Sequence, residues 1–338
     1  MKIFVTGGGG FLGQAIVRQL LARGDQVVSY SRQAYPELQA LGVEHRQGDL
    51  GERHRLIAAM KGCEAVMHVA AKAGIWGKPQ EFYQANVLGT ENVLAACQYL
   101  EIPRLLYTSS PSVVHPGHSG IEGANESIPY PEHFLAEYPR TKALAEKMVL
   151  TANGPSLATA ALRPHLIWGP GDPHFVPRLV ARARAGRLRL VGSGDPLVDT
   201  VYIDNAAESH LLALDALAPG SPVAGKAYFI TQGEPVTISR FLNGIVQAAG
   251  LPPVTRRIPA GVALLVGGVM EVLWRGLNLP GEPLMTRFLA HQLSTPHWFD
   301  ISAAKRDFGY APKIGFDEGL ERLALSLREP QAAISGIH

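Results

Sequence analysis

Short apolar runs alternate with amphipathic segments along the first half of the chain. Each run has the length and the β-branched or aromatic content of a buried strand. The segments between the runs carry apolar residues at helical spacing, as Ala15–Ala22 does. This alternation predicts a parallel sheet covered by helices. The predicted strands are Lys2–Thr6, Gln26–Tyr30, Val43–Arg46, Ala65–Val69, Arg104–Thr108 and Ser156–Leu162.

A glycine-rich turn joins the first predicted strand to the first predicted helix. Gly7, Gly10 and Gly13 are spaced three apart, and the helical pattern begins directly afterwards. Glycines at these positions allow a tight turn and let the backbone approach a pyrophosphate at the helix N-terminus. Because the motif stands between a strand and a helix, the sequence predicts a dinucleotide-binding site.

The end of the second predicted strand bears on which dinucleotide is bound. A site for NAD usually places an acidic residue there to hold the ribose 2′-hydroxyl. No acidic residue stands between Asp25 and Glu37, whereas Ser31 and Arg32 follow the strand directly. An arginine can pair with a 2′-phosphate, and a serine can donate a hydrogen bond to it. The pattern therefore favours NADP(H), with a surface arginine as the alternative.

Tyr138 and Lys142 stand four residues apart, so a helix places both side chains on one face. A phenol with a pKa of about 10 is a poor acid at pH 7. A fixed ammonium one turn away is expected to lower that pKa. Pro139 is tolerated in a first helical turn, which predicts that the helix begins no earlier than about Ala136. The same spacing also arises by chance on solvated helices, so the pair is informative only beside other features.

A hydroxyl-rich segment follows the fifth predicted strand. Ser109, Ser110 and Ser112 lie at its carboxyl end, the edge where ligands bind in open α/β sheets. A hydroxyl at this edge can hydrogen-bond a substrate carbonyl. The glycine-rich turn, this segment and the Tyr138–Lys142 pair together predict one redox site.

The last third of the chain contains two long apolar segments. Pro259–Leu279 and Leu284–Leu293 carry many apolar side chains and few charges. A core or a dimer interface explains them, and so does an apolar lid that admits a lipid-like substrate from a membrane surface or a partner enzyme. An arginine-rich segment before them could bind a carboxylate, a coenzyme A phosphate or a nucleotide sugar, or form a solvated helix face. Its arginines are Arg178, Arg182, Arg184, Arg187 and Arg189.

Composition narrows the class of protein. The 338 residues are 46% hydrophobic and 18% charged, which fits a globular chain with a large core. A net charge of +2 without a dense basic stripe gives no reason to expect nucleic acid. Cys63 and Cys97 lack metal-ligand spacing, so we expect no metal and a reducing compartment. Since the sequence shows no signal-peptide pattern and no bilayer-spanning run, we expect a cytoplasmic protein, with peripheral membrane or multi-enzyme contact left open.

The motifs together resemble those of the extended short-chain dehydrogenases/reductases. The shared motifs are the glycine-rich turn, Gly48–Leu50, Tyr107–Ser110, Tyr138 with Lys142, Leu162–Pro164 and Gly169–Asp172. Further matches at Ala71–Gly77, Thr108–Val113 and Ile167–Asp172 resemble the 3β-hydroxysteroid dehydrogenase branch, and within it bacterial 2-alkyl-3-oxoalkanoate reductases of long-chain olefin biosynthesis. The resemblance covers nearly the whole chain.

The resemblance implies an α/β fold, a Rossmann-type doubly wound parallel sheet with a smaller, mostly helical C-terminal substrate domain. The dinucleotide-binding domain would comprise residues 1–164 and 201–232, and the substrate-binding domain residues 165–200 and 233–338. Pro139, directly after the tyrosine, departs from the usual pattern of the family. The residues matching catalytic positions are Ser110, Tyr138 and Lys142. The expected cofactor-binding residues are Gly7, Gly10, Phe11, Leu12, Gly13, Ser31, Arg32, Asp49, Leu50, Ala70, Ala71, Lys72, Tyr138, Lys142 and Pro164, and the expected substrate-binding residues are Trp76, Pro111 and Phe175.

The implied function is that of a homodimeric oxidoreductase of lipid metabolism. It would reduce a hydrophobic 2-alkyl-3-oxoalkanoic acid to the 3-hydroxy acid with NADPH. A steroid or sterol dehydrogenase would use the same catalytic residues and stays open. A nucleotide-sugar epimerase fits the apolar C-terminal third poorly, and a dehydratase needs an acidic pair where Pro111 and Ser112 stand. A redox-sensing protein that binds NADP without turnover is disfavoured by the Tyr138–Lys142 pair.

Overall fold

The computed structural model describes residues 1–117, 119–277 and 279–328. The predicted substrate domain, drawn to residue 338, therefore ends outside the described residues. The strands in chain order are β1 (Lys2–Thr6), β2 (Gln26–Ser31), β3 (Glu44–Gln47), β4 (Ala65–His68), β5 (Arg104–Thr108), β6 (Ile121–Ala124), β7 (Ala158–Pro164), β8 (Ile167–Trp168), β9 (Leu190–Val191), β10 (Leu197–Val198), β11 (Val201–Tyr202), β12 (Ala227–Ile230), β13 (Val236–Thr237), β14 (Arg257–Ile258) and β15 (His297–Phe299).

Helices follow most strands of the first half and dominate the last third. A π-helix, Tyr83–Leu88, joins two of them, and a 3₁₀ turn, Pro111–Val114, follows β5. The α-helices are α1 (Phe11–Ala22), α2 (Pro36–Ala40), α3 (Arg53–Met60), α4 (Pro79–Phe82), α5 (Gly89–Tyr99), α6 (Glu137–Thr151), α7 (Phe175–Arg184), α8 (Ile203–Ala216), α9 (Ile238–Ala248), α10 (Ala260–Gly276), α11 (Arg287–Ser294), α12 (Ser302–Phe308) and α13 (Phe316–Arg328).

The central sheet has seven parallel strands in the order β12-β7-β5-β4-β1-β2-β3. The chain builds outward from β1 through β2 to β3, then crosses back to β4 and builds in the other direction. Thr6 at the end of β1 therefore lies between Tyr30 and His68 of the neighbouring strands. This reversal of direction opens a crevice at the carboxyl ends of β1 and β4, where such folds bind nucleotides. The predicted α/β fold with a parallel sheet is confirmed.

Both faces of the sheet are covered, because successive side chains of a strand point in opposite directions. In β1, Ile3 and Val5 pack in one buried cluster that includes Ile16 of α1. Phe4 points the other way and joins a second cluster with Leu56 of α3. The apolar runs read from the sequence are thus strands buried on two sides.

The structure departs from the sequence-based elements in several places. The apolar spacing from about Pro79 to Leu100 predicts a helix, and the structure interrupts this helix with the π-helix. The sixth predicted strand is displaced by two residues, to Ala158–Pro164. The strand β6 was not predicted, since its sequence Ile-Glu-Gly-Ala has little strand character, and it forms by pairing with β15 near the end of the chain.

The second half of the chain is shared between the main sheet and a mostly helical part. β12 is the edge strand of the central sheet, and α8 lies beside α1, where Gln19 Nε2 donates to the Asp204 carbonyl at 3.0 Å. The helices from α9 to α13 follow. The proposed division into two domains stays a prediction. Within the described ranges, no helix is both long enough and apolar enough to cross a membrane.

Candidate active site

The glycine-rich turn has the tight backbone that the sequence predicts. Gly7 adopts a φ of +69°, and its N–H donates to the Tyr30 carbonyl at 2.9 Å. A Cβ atom on Gly7 would lie 2.9 Å from the Ala70 Cα, and one on Gly13 would lie 2.1 Å from the Gly7 carbonyl oxygen. Both contacts are too short for a side chain. The bare backbone of the turn therefore lies against the start of α1 on one side and against the loop after β4 on the other.

The N-terminus of α1 leaves backbone donors available to an anion. Gly10 caps this helix and has no side chain to bond its first N–H groups. Such a terminus favours a phosphate through its free N–H groups and through the helix dipole. At the neighbouring strand end, Thr6 Oγ1 accepts hydrogen bonds from the N–H groups of Val69 and Ala70, both at 3.0 Å. The bare turn and the uncapped helix fit the pyrophosphate of a dinucleotide.

Gly8 and Gly9, which are not part of the three-residue spacing, are needed because neighbouring side chains leave no room for a Cβ atom. A Cβ atom on Gly9 would lie 2.2 Å from the ring of Tyr35, and one on Gly8 would lie 2.5 Å from Ser29 Oγ. Tyr35 thus packs directly on the turn, beside His45 in an edge contact at 5.8 Å. The sequence analysis missed Tyr35, because a tyrosine in a loop after a strand carries no signal of this contact.

The residues expected to choose between NAD and NADP stand where β2 ends. Ser31 is the last residue of β2, and its Oγ donates to the Gln33 carbonyl at 3.0 Å. Arg32 is exposed, and its carbonyl accepts a hydrogen bond from Gln47 Nε2 at 2.7 Å. The Arg32 backbone is therefore fixed by this hydrogen bond, whereas its side chain is exposed to solvent. This placement fits a 2′-phosphate contact and leaves the role of Arg32 a prediction.

Tyr138 and Lys142 lie in the first turns of α6, which begins at Glu137 with Ala136 as its cap, as predicted. Lys142 is buried, and its Nζ donates to the Thr108 carbonyl at the end of β5 at 2.5 Å. The same Nζ lies 4.1 Å from the centroid of the Tyr107 ring. A cation over an aromatic face is stabilised by the ring quadrupole. The structure thus ties the helix that carries the pair to the strand that leads to Ser110.

Ser110 caps the 3₁₀ turn that follows β5. Its Oγ accepts hydrogen bonds from Ser112 N at 3.3 Å and from Ser112 Oγ at 3.0 Å. The Ser110 hydroxyl lies within reach of the Tyr138 phenol, and a hydrogen bond between them lowers the pKa of the phenol. The three residues predicted to be catalytic therefore lie together at the carboxyl edge of the sheet.

The electrostatics of the pair differ from the sequence-based expectation. Burial raises the pKa of the Tyr138 phenol, and the hydrogen bond with Ser110 acts only partly against it. Burial also lowers the pKa of Lys142 to about 7, with the nearby Glu146 carboxylate opposing the change. The expected lowering of the Tyr138 pKa by Lys142 is thus wrong. Desolvation by burial is the largest cause of the change in the pKa of the phenol, and it acts in the opposite direction.

Asn86 connects three parts of the site. Its Oδ1 accepts from Lys72 N at 2.7 Å, and its Nδ2 donates to the Lys72 carbonyl at 3.2 Å and to Thr141 Oγ1 at 3.0 Å. Asn86 therefore holds the loop after β4 against α6 at the residue before Lys142. It lies in the π-helix, and such irregular turns are frequent at functional sites.

A buried chain of hydrogen bonds runs beneath the crevice from β1 to the π-helix. Thr90 Oγ1 donates to the Asn86 carbonyl at 2.6 Å and lies 3.0 Å from His68 Nε2, while His68 Nδ1 lies 2.7 Å from Thr6 Oγ1. Because the Thr90 proton is committed, His68 Nε2 must be the donor to Thr90. Burial, with Lys142 adding to it, lowers the pKa of His68 to about 3, so this imidazole is neutral. The sequence analysis did not single out Thr6, His68 or Thr90.

The other residues predicted to bind the cofactor are Asp49, Lys72 and a set at the ends of several elements. Asp49 Oδ1 accepts from Gly51 N at 2.8 Å, and the Asp49 carbonyl accepts from Tyr30 at 3.1 Å. The side chain of Lys72 pairs with Glu81 at 3.0 Å, and its backbone N–H and carbonyl both bond the Asn86 side chain. The remaining predicted residues lie at the start of α1, in the loops after β3 and β4, and at the end of β7; they are Phe11, Leu12, Leu50, Ala71 and Pro164.

The predicted substrate residues do not form one cluster. Pro111 is buried at the start of the 3₁₀ turn, next to Ser110. The Trp76 ring lies 5.2 Å from the guanidinium of Arg275 in α10. Phe175, the first residue of α7, stacks on Phe241 at 5.4 Å.

The arginine-rich segment is likewise dispersed. Arg178 pairs with Glu282 at 2.7 Å, and Arg182 donates to the Leu284 carbonyl at 3.2 Å, so both lie against the loop after α10. Arg189 instead bonds carbonyls of its own loop. The segment does not converge on a single anion site.

A buried ion pair anchors α6 to β7 one turn beyond Lys142. Arg163 Nη2 lies 2.6 Å from Glu146 Oε1, and both side chains are buried. Tyr130 donates to the same carboxylate at 2.6 Å. The position of the catalytic helix therefore depends on a charge pair that the sequence did not reveal, because its members are not close along the chain.

Three buried imidazoles lie beyond the carboxyl end of β7. The His165 ring contacts that of His297 at 5.0 Å, and His115 contacts His297 at 6.4 Å. Burial lowers the pKa of His165 and of His297, so both are neutral at pH 7. Across the described ranges, no three His, Cys, Asp or Glu side chains are arranged to hold a metal ion.

A surface depression of about 610 Å³ flanks α6 without including the predicted catalytic residues. Its α6 lining comes from the helix face opposite Tyr138 and Lys142, as 3.6 residues per turn requires. We therefore assign the site from the crevice, not from this depression. The lining residues are Tyr130, Pro131, Glu132, His133, Phe134, Arg140, Ala143, Leu144 and Lys147.

Known proteins resemble this chain over nearly its whole length. Residues 4–259 of this chain match the 3-beta hydroxysteroid dehydrogenase/isomerase family. A 2-alkyl-3-oxoalkanoate reductase of Stenotrophomonas maltophilia is 54% identical over 96% of this chain and 99% of its own length. One of Shewanella oneidensis is 53% identical over 96% of this chain and 86% of its own length. The structure of MoeE5 in complex with UDP-glucose and NAD has a TM-score of 0.76 at 24% identity, covers 97% of this chain and 99% of its own, and supports the fold alone.

Proposed function

The chain belongs to the 3-beta hydroxysteroid dehydrogenase/isomerase family, and from this premise we propose that it reduces 2-alkyl-3-oxoalkanoic acids to 2-alkyl-3-hydroxyalkanoic acids with NADPH. As a member of that family it is an oxidoreductase of the extended short-chain dehydrogenase/reductase type that uses a nicotinamide dinucleotide. The substrate assignment is supported by the 54% identity to a reductase of that name over nearly all of both chains.

The predicted catalytic residues suit the reduction of a ketone. A reduced nicotinamide bound in the crevice would supply the hydride for the carbonyl carbon, and the carbonyl oxygen would need one proton to complete the alcohol. Tyr138 is the proton donor in our proposal. Its raised pKa keeps the phenol protonated at neutral pH, which is the form that a donor needs. Ser110, which interacts with the phenol, orients the carbonyl oxygen beside it.

The cofactor is held by backbone and side chains from several elements. Gly7, Gly10 and Gly13 form the bare cradle for the pyrophosphate at the N-terminus of α1. Lys142 of α6 would hold the nicotinamide ribose, since its buried Nζ lies at the end of β5. Ser31 and Arg32 would receive the 2′-phosphate and so favour NADPH. The homodimer expected from the sequence and the expected cytoplasmic location also stay predictions.

The test is NADPH oxidation by the purified protein with a long-chain 2-alkyl-3-keto acid, next to a panel of steroid and sterol ketones. We expect turnover of the keto acid and a loss of about 10²- to 10⁴-fold in kcat for Tyr138→Phe, since a positioned acid contributes that much. Tyr99→Phe is a matched control, because Tyr99 is the last residue of α5 and 71% of its surface is exposed.

Two results would contradict the proposal. Turnover of sterols but not of keto acids would show that the protein is a sterol dehydrogenase instead. A Tyr138→Phe variant within about threefold of the wild-type rate would reject Tyr138 as the acid, because such a loss is far below that of a general acid.

A further inference from the structure

The helix α10 exposes most of its large apolar side chains, while Leu264, Met270 and Trp274 are half-buried. Val262, Leu265, Val266, Val269, Val272 and Leu273 have between 42% and 71% of their surface exposed. The buried positions of the same helix are Ala263, Gly267 and Glu271. This is the reverse of a helix that packs on a protein core, where the large aliphatic residues face inward.

The exposed residues form one continuous stripe. Their spacing of three and four residues keeps them on one face along the 17 residues of α10. Leu277, Leu279 and Leu284, in the loop that follows, extend the apolar surface and are also exposed. Contiguous apolar surface of this kind marks an interaction site on a protein that is otherwise covered by polar groups.

Specific contacts hold the stripe outward. A Cβ atom on Gly267 would lie 2.7 Å from the carbonyl carbon of Thr286, so α10 lies directly on the start of α11. The buried Glu271 accepts from Arg287 N at 2.8 Å and from Arg287 Nε at 2.9 Å. Since these contacts need the face that carries Gly267 and Glu271 to point inward, the helix cannot turn its leucines into the protein without losing them.

Basic side chains surround the apolar stripe. Arg275 stands at the end of α10, Arg257 just before it, and Arg287 at the start of α11, and all three are exposed. Arg178 and Arg182 reach the loop after α10, as described above. The carboxylates in this region include Asp195, whose pKa the nearby Arg257 helps to lower, and Glu271 and Glu282, each paired with one of these arginines, so the arginines still outnumber them. The rim of the stripe therefore carries a net positive charge.

We propose that α10 and the loop after it dock on the surface of an anionic lipid membrane. An apolar face inserts at the boundary of headgroups and acyl chains, while arginines at its rim bind anionic headgroups. A second copy of this chain fits less well, because its own basic rim would face this one. A spanning segment does not fit, because no described helix can cross a bilayer.

The docking face lies next to the crevice. Gly74 and Trp76 lie in the loop after β4. Glu282 stands 3.2 Å from the position that a Cβ on Gly74 would take, and Arg275 lies against Trp76. On the other side, Phe288 of α11 contacts His115 beyond the 3₁₀ turn at 6.3 Å. A membrane bound at α10 would therefore lie beside the entrance to the site. The docking itself does not depend on which ketone is reduced.

Sedimentation with lipid vesicles tests the proposal on the full chain. We expect the protein to bind vesicles that contain phosphatidylglycerol and to bind phosphatidylcholine vesicles far more weakly, with added salt weakening the former. Leu265→Asp or Val272→Asp should lower the partition coefficient about tenfold or more, since each removes a large apolar side chain from the inserted face. Leu325→Asp is the matched control, because Leu325 of α13 is 61% exposed, and should change binding less than about twofold.

Two further measurements distinguish loss of membrane binding from misfolding of a variant and from loss of a different partner. Light scattering gives the oligomeric state, and NADPH oxidation with a short-chain, water-soluble keto acid should be the same in all three variants. Loss of a dimer in Leu265→Asp with unchanged vesicle binding would assign α10 to self-association. Absence of vesicle binding by the wild type, or an equal loss in Leu325→Asp, would overturn the membrane proposal. Failure of the keto-acid assay in the wild type would reject the proposed function and leave the docking result intact.

Discussion

Replacing Lys142 with Met would show whether a buried ammonium in the site reduces the stability of the fold. Lys142 is buried, with its Nζ between the Tyr107 ring and the Thr108 carbonyl. Burial lowers its pKa from 10.5 to about 7. In the unfolded chain the same amine keeps its ordinary pKa. Met has a similar length and no charge, so it removes the titration while filling much of the same space.

The sign and size of the effect follow from the two pKa values. Between about pH 7 and 10.5 the unfolded chain binds a proton at Lys142 that the folded protein has released, so the free energy of unfolding rises with pH. The full penalty for charging the buried amine, about 5 kcal/mol, is present below pH 7 and disappears above pH 10.5. Between about pH 7.5 and 9.5 the wild type should gain roughly 2–3 kcal/mol relative to Lys142→Met.

Urea unfolding of both proteins without cofactor, followed by tryptophan fluorescence across this pH range, measures the difference. Other titrating groups are common to the two proteins and cancel. A difference in unfolding free energy that does not change with pH would show that the ammonium is not desolvated as the structure indicates. In parallel, Lys142→Met should lose NADPH oxidation at every pH, because the substitution also removes the proposed ribose contact.

Two other substitutions test the cofactor contact and the anchor of α6. Arg32→Ala should weaken NADPH binding by about 10- to 100-fold and NADH binding much less, as expected for loss of a charge-assisted hydrogen bond; equal losses in fluorescence titrations with the two cofactors would reject the 2′-phosphate contact. Glu146→Gln should destabilise the protein by about 3–5 kcal/mol in urea unfolding, because it leaves the buried Arg163 unpaired. The double variant Glu146→Gln, Arg163→Met should be less destabilised than the single one, and an additive result would argue against the pair.

The π-helix shows why a sequence pattern can place an element and still miss its form. The apolar positions from Pro79 to Leu100 have helical spacing, so a helix is expected there. The interruption at Tyr83–Leu88 accompanies the bonds of the Asn86 side chain to Lys72 and Thr141, which lie on other elements. A hydrogen-bonding role for Asn86 could be suspected from the sequence, but the residues that it bonds could not be named.

The features that the sequence determined are local ones. The parallel sheet follows from the alternation of apolar runs and helical spacing, and the cradle follows from glycines placed between a strand and a helix. The joint position of Tyr138 and Lys142 follows from the helix repeat. Each of these depends on residues within a few turns of one another, which a linear pattern records directly.

What the tertiary structure decided depends on residues far apart in the chain. The pKa of Lys142 is set by burial between α6 and β5, so spacing along the helix could not give even the direction of the change at Tyr138. The sequence showed that α10 is apolar but not which face turns outward, because periodicity gives the stripe without its partner. Only the close approach of Gly267 to Thr286 and the Glu271–Arg287 pair fix the small residues inward and leave the leucines in solvent. Burial is a property of the whole chain, and no short segment contains it.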